Sequence, residues 1–303
     1  MGDIEIRRFT RDDFQKLGGL YHAVTSREDA VFWWVGDEEN WTNVFIALEG
    51  EEMIGKGQVS VITAITQGSP KNYKHYIYFN LKVLPEREGE YAIYDLLYDC
   101  LIKKAYQLRE QLQYEYRTMI AIGNQSTEEQ NNHYFKKKGF TYRKSAFTMN
   151  RSESEAIEHA ALSASYCCQQ CDLSSKESMD EYLRADMEIW PEAPIGLQRL
   201  MEIMENSEWT TFAIREKDTL VGSVMAWVDE DGDGVIEDLF VREPWRRKGI
   251  AKYLLTQALT YLKNHDCTLV ELQVETANES ALSLYHSIGF KEVSEEVYYH
   301  KEL

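Results

Sequence analysis

Basic residues are scarce in this chain. Its 303 residues carry 51 aspartates and glutamates against 33 lysines and arginines, for a formal net charge of −18. A surface that neutralises nucleic-acid phosphates needs the opposite balance, so nucleic acid is not an expected partner. Such acidity steers cationic molecules such as amines toward a protein, and it also simply keeps a protein soluble; composition leaves both readings open. Cysteine is sparse as well. The five are an odd count without framework spacing, which suits a reducing compartment. No apolar run approaches a membrane span, and the opening MGDIEIRRF lacks the apolar core of a signal peptide. The expectation is a cytoplasmic protein with no membrane partner. What the chain does have is a globular composition, 44% apolar and 12% aromatic. Its length suits two domains of ~150 residues.

The most informative stretch runs from Val235 to Asn264. VIEDLFV reads as a largely buried strand, and Pro244 ends it, because proline cannot donate to a ladder. From Gly249 onward Ile250, Leu254, Ala258 and Leu262 form the apolar stripe of a helix. Between them lies Arg246-Arg247-Lys248-Gly249-Ile250-Ala251. Little side-chain bulk at Gly249 and Ala251 lets backbone approach a ligand, and the first helix amides have no internal partner. The combination predicts an anion site for a phosphate or pyrophosphate. Arg242, Arg246, Arg247, Lys248 and Lys252 add positive charge, opposed there only by Glu243.

Arg246-x-x-Gly249-x-Ala251 between a strand and a helix resembles the acyl-CoA signature of the GNAT acetyltransferase superfamily. Downstream, after a strand over Leu269–Val274, comes Asn278-Glu-Ser-Ala281-Leu-Ser-Leu-Tyr285-His-Ser-Ile-Gly289-Phe290. It is similar to the family's second block of Asn, Tyr and Gly-Phe. The resemblance implies acetyl-CoA as co-substrate and no metal. Pyrophosphate would lie on Arg246, Arg247, Lys248, Gly249, Ile250 and Ala251, and the pantetheine arm along Leu239, Phe240 and Val241, with Asn278 on its amide. It further implies Tyr285 as general acid toward the departing CoA sulfur. A packing role for Tyr285 in the stripe Leu282, Tyr285, Ile288, and a capping role for Asn278, are the structural alternatives.

Acetyl transfer to an amine also needs a group to take the amine proton. Glu237 is the candidate, sharing a strand face with Leu239 and Val241 by simple alternation; Asp238 would point the other way and stands second. Glu237 as a satisfied structural carboxylate is the competing reading.

The N-terminal half repeats the plan. A strand at Ile4–Phe9, a helix after Thr10-Arg-Asp-Asp13, a hairpin over Asn43–Leu48 and Met53–Ile65, and a strand at His75–Val83 precede Pro85 and a helix through Leu96, Leu97, Leu101 and Ala105. A strand at Arg117–Ile122 and Gly139-Phe140 follow. Pro85 matches Pro244, and Gly139-Phe140 matches Gly289-Phe290, at nearly constant spacing, which implies an internal repeat. Arg87 then falls on Arg246 and Ala92 on Ala251, but Glu90 falls on Gly249, and Phe135 falls on Tyr285. A carboxylate at the pyrophosphate position repels it and fills space that glycine leaves. The expected fold is α/β (α+β): two tandem GNAT domains, each a mixed, mainly antiparallel central sheet flanked by helices. Residues 1–150 form a degenerate copy, 151–165 a linker and 166–303 the catalytic domain, whose helices over Lys176–Trp190 and Ile195–Glu205 cover the acceptor pocket. The resulting expectation is an N-acetyltransferase acting on a primary amine of a small molecule (polyamine- or aminoglycoside-like). It acts by direct ternary-complex transfer, as a monomer (a pseudo-dimer within one chain) or a homodimer. A protein N-terminus or lysine as acceptor, and a non-catalytic acyl-CoA-binding or interaction module, remain the alternatives.

Two motifs invite other chemistry. Asp229-Glu-Asp231-Gly-Asp233-Gly234 opens like a calcium loop, but its twelfth position is Phe240, so a hairpin turn is expected. Cys167-Cys168-x-x-Cys171 lacks a second ligand pair and reads as part of a strand with small buried residues; Cys100 and Cys267 read as core.

Overall fold

The computed structural model describes residues 4–26, 30–158, 160–191 and 194–303 and divides into two compact units. One comprises Met1–Ala146 with Ser294–Leu303, the other Phe147–Val293. Of the expected linker, His159 lies outside the described residues.

In the first unit the chain runs β1 (Ile4–Arg8), α1 (Phe14–Thr25), β2 (Val44–Glu49), β3 (Glu52–Thr63), β4 (Lys74–Val83), α2 (Tyr91–Arg109), β5 (Arg117–Gln125), α3 (Glu129–Lys137) and into β6 (Thr141–Ser152). Thr10 and Asp13 form a capping box at the helical entry, and Asp13 also receives both terminal nitrogens of Arg7 at 2.7 Å. Strand order is β1-β2-β3-β4-β5, completed by the chain's last strand, β12 (Lys291–Glu302). Neighbours are antiparallel except β4 and β5, which run parallel because helix α2 carries the chain across. Their pairing stops at Phe79 and Ile122, and beyond that point the strands part.

The second unit takes the end of β6, from Phe147, and continues β7 (Cys167–Cys171), α4 (Lys176–Ile189), α5 (Gly196–Met204), β8 (Ser207–Glu216), β9 (Thr219–Val228), β10 (Gly234–Val241), α6 (Ile250–Asn264), β11 (Leu269–Glu275) and α7 (Glu279–Ser287). Its order is β6-β11-β10-β9-β8-β7, again with a parallel pair, β10 and β11, beside antiparallel neighbours from β10 to β7. The sheet has a core on each face. Ile250, Leu254, Ala258 and Leu262 of α6 pack on one side as their spacing predicts. Tyr182, Ala185, Leu200 and Ile203 of α4 and α5 pack on the other, against Met225, Trp227 and Phe240. The eight strands read from the sequence lie close to their expected positions; the exchange of last strands, β12 into the first unit and the end of β6 into the second, is not visible in local pattern, because a strand's alternation does not say which sheet it joins.

Candidate active site

The two halves of β10 behave differently. Its first residues pair with β11, from Gly234 opposite Val270 to Ile236 opposite Leu272, and there the parallel ladder ends. On the other side, Glu237 opposes Met225 and Phe240 opposes Ser223, so one extra residue is accommodated in β10. Asp238 absorbs it with φ of 56°, a left-handed conformation that aspartate tolerates better than most residues. The bulge corrects the simple strand alternation. Val235 and Phe240 pack toward α4 and α5, whereas Ile236, Leu239 and Val241 pack toward α6. Glu237 therefore does not share a face with Leu239 and Val241, and Asp238 does not point away from it. Both carboxylates turn to the α4–α5 side: Tyr182 of α4 donates its hydroxyl to Asp238, and the Arg199 charge of α5 acts on Glu237.

Burial pushes the Asp238 carboxyl up to about 7; the Tyr182 hydrogen bond opposes the shift, and the charges of Asp186 and Glu237 add to it. Burial also raises Glu237, against the pull of Arg199. One helical turn beyond Tyr182, Asp186 is 1% exposed, accepts the Ile195 amide at 2.9 Å, and rises to about 6 chiefly through burial. Neither Tyr182, Asp186 nor Trp190 stands out in the sequence, and Phe240, expected beside the pantetheine arm, packs its ring against Tyr182 and Trp190. Tyr182 and Asp186 share a helix face at a spacing of four, but that spacing reads equally as ordinary core.

At the other end of the open stretch, the turn before α6 is built from left-handed residues, Arg247 at φ 63° and Gly249 at 79°. The alternation turns successive amides to one side, and among the described residues no backbone acceptor meets the amides of Arg247–Lys252. Gly249 is the helix N-cap. A Cβ placed there meets nothing within 4 Å, so in the protein alone the demand for glycine is conformational rather than spatial. Arg246, Arg247 and Lys248 are exposed and form no ion pair among the described residues; Arg246 Nε donates to the Val241 carbonyl at 2.9 Å. Arg242 and Lys252, by contrast, are engaged by Glu188 and Glu158. Ile250 and Phe240 are buried in the cores, so only their backbones can meet a ligand; Ala251 is half-buried. These features fit acetyl-CoA: orphan amides and free cations for its phosphates, and an unpaired strand edge for its amides.

Asn278 caps α7, accepting the Ala281 amide at 3.2 Å. Tyr285 is 7% exposed, stacks edge-on to Phe290, and is pushed up to about 12 by burial; its hydroxyl has no hydrogen bond among the described residues. The phenol is thus fully protonated at neutral pH.

The same positions in the first unit are occupied differently. Phe140 N reaches Phe135 O and Phe290 N reaches Tyr285 O, each at 3.1 Å, so Phe135 and Tyr285 hold equivalent places. Glu90 and Gly249 are both helix N-caps, and Glu128 caps α3 where Asn278 caps α7. Arg87 is clamped by Glu90 and Glu49. Where β4 and β5 part, Lys82 binds Glu128 and Asn124, and Asn131 donates to the Leu81 carbonyl at 2.8 Å. Side chains of the unit itself fill the space between its parted strands.

The Asp229–Gly234 segment is a hairpin turn whose Asp229 carboxylate accepts the amides of Asp231 and Asp233. Cys167 is exposed and Cys168 and Cys171 are half-buried, contrary to the buried reading, because β7 is an edge strand with one row open to solvent. Cys100 is half-buried, Cys267 buried.

The chain is similar to known proteins. The profile of the acetyltransferase (GNAT) family matches residues 176–290. The uncharacterized N-acetyltransferase YobR of Bacillus subtilis is 30% identical over 122 residues, 40% of this chain and 47% of YobR. The matched stretches span between 21% and 49% of the curated relatives' own lengths. Over the whole chain, the GCN5-related N-acetyltransferase from Sphaerobacter thermophilus superposes with a TM-score of 0.76 at 15% identity, covering 99% of this chain and 95% of that one. A tandem GNAT protein from the clavulanic acid biosynthesis pathway does so at 0.69 and 12% identity, covering 99% and 98%. Residues 176–290 thus match the GNAT acetyltransferase family, within a chain that has the fold of a tandem GNAT protein.

Proposed function

We propose that the second unit transfers acetyl from acetyl-CoA to a primary amine of a small molecule, directly and in a ternary complex. The observation that carries this reading is the β10 bulge, which sets two carboxylates beside the start of an unpaired strand edge that leads to the anion-binding turn. Acetyl-CoA supplies the activated acetyl group. The amides of Arg247–Lys252 with Arg246, Arg247 and Lys248 hold its pyrophosphate, the backbone of Leu239–Val241 aligns the pantetheine arm, and Asn278 takes its amide.

Two protons then move. The amine proton goes to the carboxylate pair, of which Asp238, at about 7, is matched to neutral pH, with Glu237 beside it. The nitrogen then bonds to the thioester carbon; as the carbon–sulfur bond breaks, the Tyr285 phenol gives its proton to the leaving thiolate and is restored by the second proton that the new amide nitrogen sheds. The first unit has a degenerate site: its clamped Arg87, the Glu90 cap and the Lys82–Glu128 pair occupy what the second unit leaves open, and Phe135 has no hydroxyl to offer. Five free cysteines support a cytoplasmic setting.

Phenylalanine at Tyr285 tests the chemistry. We expect turnover to fall by about 10²-fold while acetyl-CoA affinity changes less than about threefold. Equal loss of both would assign Tyr285 to packing.

A further inference from the structure

Helix α4 grips Asp238 from across the sheet face. The Tyr182 hydroxyl donates to Asp238 Oδ2, and the Tyr182 ring lies edge-on to Phe240, two residues further along β10, at 5.8 Å. Tyr182 is 1% exposed, so hydroxyl and carboxylate meet out of water. One turn along the same helix face, Asp186 is equally buried. Its Oδ2 accepts the amide of Ile195, the residue that opens α5, at 2.9 Å, so the chain itself fixes where this carboxylate sits. Its Oδ1 has no hydrogen-bond partner, and its charge acts on both Tyr182 and Asp238. Glu237 adds a further negative charge from the strand, and Arg199 of α5 acts on Glu237. Among the described residues no cation offsets Asp186 or Asp238.

Two groups on one helix face therefore act on Asp238 in opposite senses. A hydrogen bond donated to the ionised carboxylate favours ionisation, whereas an uncompensated negative charge in the same low-dielectric surroundings opposes it. We propose that Tyr182 and Asp186 are positioning residues for proton transfer at Asp238, acting from α4 as an opposed pair. Neither touches the amine or the acetyl group. An ordinary carboxylate, titrating near about 4, is a poor base toward an ammonium near about 10, and Asp186 narrows that gap. Tyr182 orients the carboxylate at the bulge and keeps enough of it ionised at neutral pH. The proton concerned is the amine proton already assigned to Asp238, so the pair changes where that group titrates and adds no step. The inference rests on the proposed acetyl transfer for the use made of the proton; the opposed pair itself does not need it.

Carboxyl NMR on protein with labelled aspartates tests the pair without any acceptor, the Asp238 resonance being the one lost in Asp238→Asn. Its midpoint in the wild-type protein should lie at about 7. Asp186→Asn keeps an oxygen for the Ile195 amide and removes the charge, so the midpoint should fall by about half a pH unit or more. Tyr182→Phe removes the donor and keeps the ring against Phe240, so the midpoint should rise by a similar amount. Shifts of opposite sign are not what a merely loosened core produces, and a cooperative melt shows that each variant is folded. Midpoints within about 0.2 of the wild-type value, or both moving the same way, would overturn the proposal. The acid limb of acetyl transfer to butylamine should move with the midpoints, to lower pH in Asp186→Asn and to higher pH in Tyr182→Phe. A limb that stays put while the midpoints move, or no transfer at all, counts against the transfer reading and not against the pair.

Discussion

Asparagine in place of Asp238 will make the second unit more stable at pH 7 and nearly inactive. An ionised carboxylate held at about 7 opposes folding at neutral pH, because its ordinary value is 3.8. The sign follows from the raised folded-state value. Below about pH 4 the carboxyl is neutral in both states and costs nothing; the penalty grows as pH rises from there through 7. Asparagine removes it, keeps an oxygen for the Tyr182 hydroxyl and tolerates the left-handed φ of 56°. After discounting for its partial exposure, the gain is about 1–3 kcal/mol, or several degrees in melting temperature. It should shrink on acidification and vanish near pH 4. Over the same change, kcat/KM should fall by about 10²–10³-fold. Glu237→Gln, tested beside it, should lose only about tenfold. A reversed order of the two losses would return the proton acceptor to Glu237. Thermal melts across pH with steady-state rates decide it.

Glutamate at Gly249 will abolish acetyl-CoA binding, by about 10²-fold or more. The substitution copies the N-cap of α2 onto α6, since Glu90 and Gly249 hold the same place in their units. Two effects act together. A side chain at φ 79° costs about 1–2 kcal/mol or forces the turn out of its left-handed form, which re-aims the orphan amides. The new carboxylate then neutralises Arg246 or its neighbours, as Glu90 clamps Arg87 in the first unit. Gly249→Ala separates the contributions, because it brings the conformational cost without the charge; it should lose about tenfold. Fluorescence or calorimetric titration of the three proteins gives the comparison.

Much of this is legible in the sequence. The anion-binding turn is readable because its physics is local: a glycine with freedom at positive φ, orphan helix amides and clustered cations all lie within one short stretch. The repeat is legible for a related reason, since Gly139-Phe140 and Gly289-Phe290 close identical turns. The bulge is not. Nothing in Glu237-Asp-Leu-Phe announces that Asp238 turns left-handed, so strict alternation sends the two carboxylates apart when the strand turns both toward α4 and α5. Asp186 and Tyr182 stay hidden in the sequence because their meaning depends on β10, far along the chain. In the first unit, Glu90 was legible as a defect, but the Lys82–Glu128 pair and the Asn131 bond to Leu81 needed the fold to bring β4, β5 and α3 together.

We expect one acyl-CoA site per chain, in the second unit. Calorimetric titration of the wild-type protein with acetyl-CoA counts the sites. The stoichiometry should be one, and unchanged when Glu90 is replaced by glycine, because Lys82, Glu128 and Asn131 still fill the first unit's parted strands. Two sites per chain, or no binding, would contradict it.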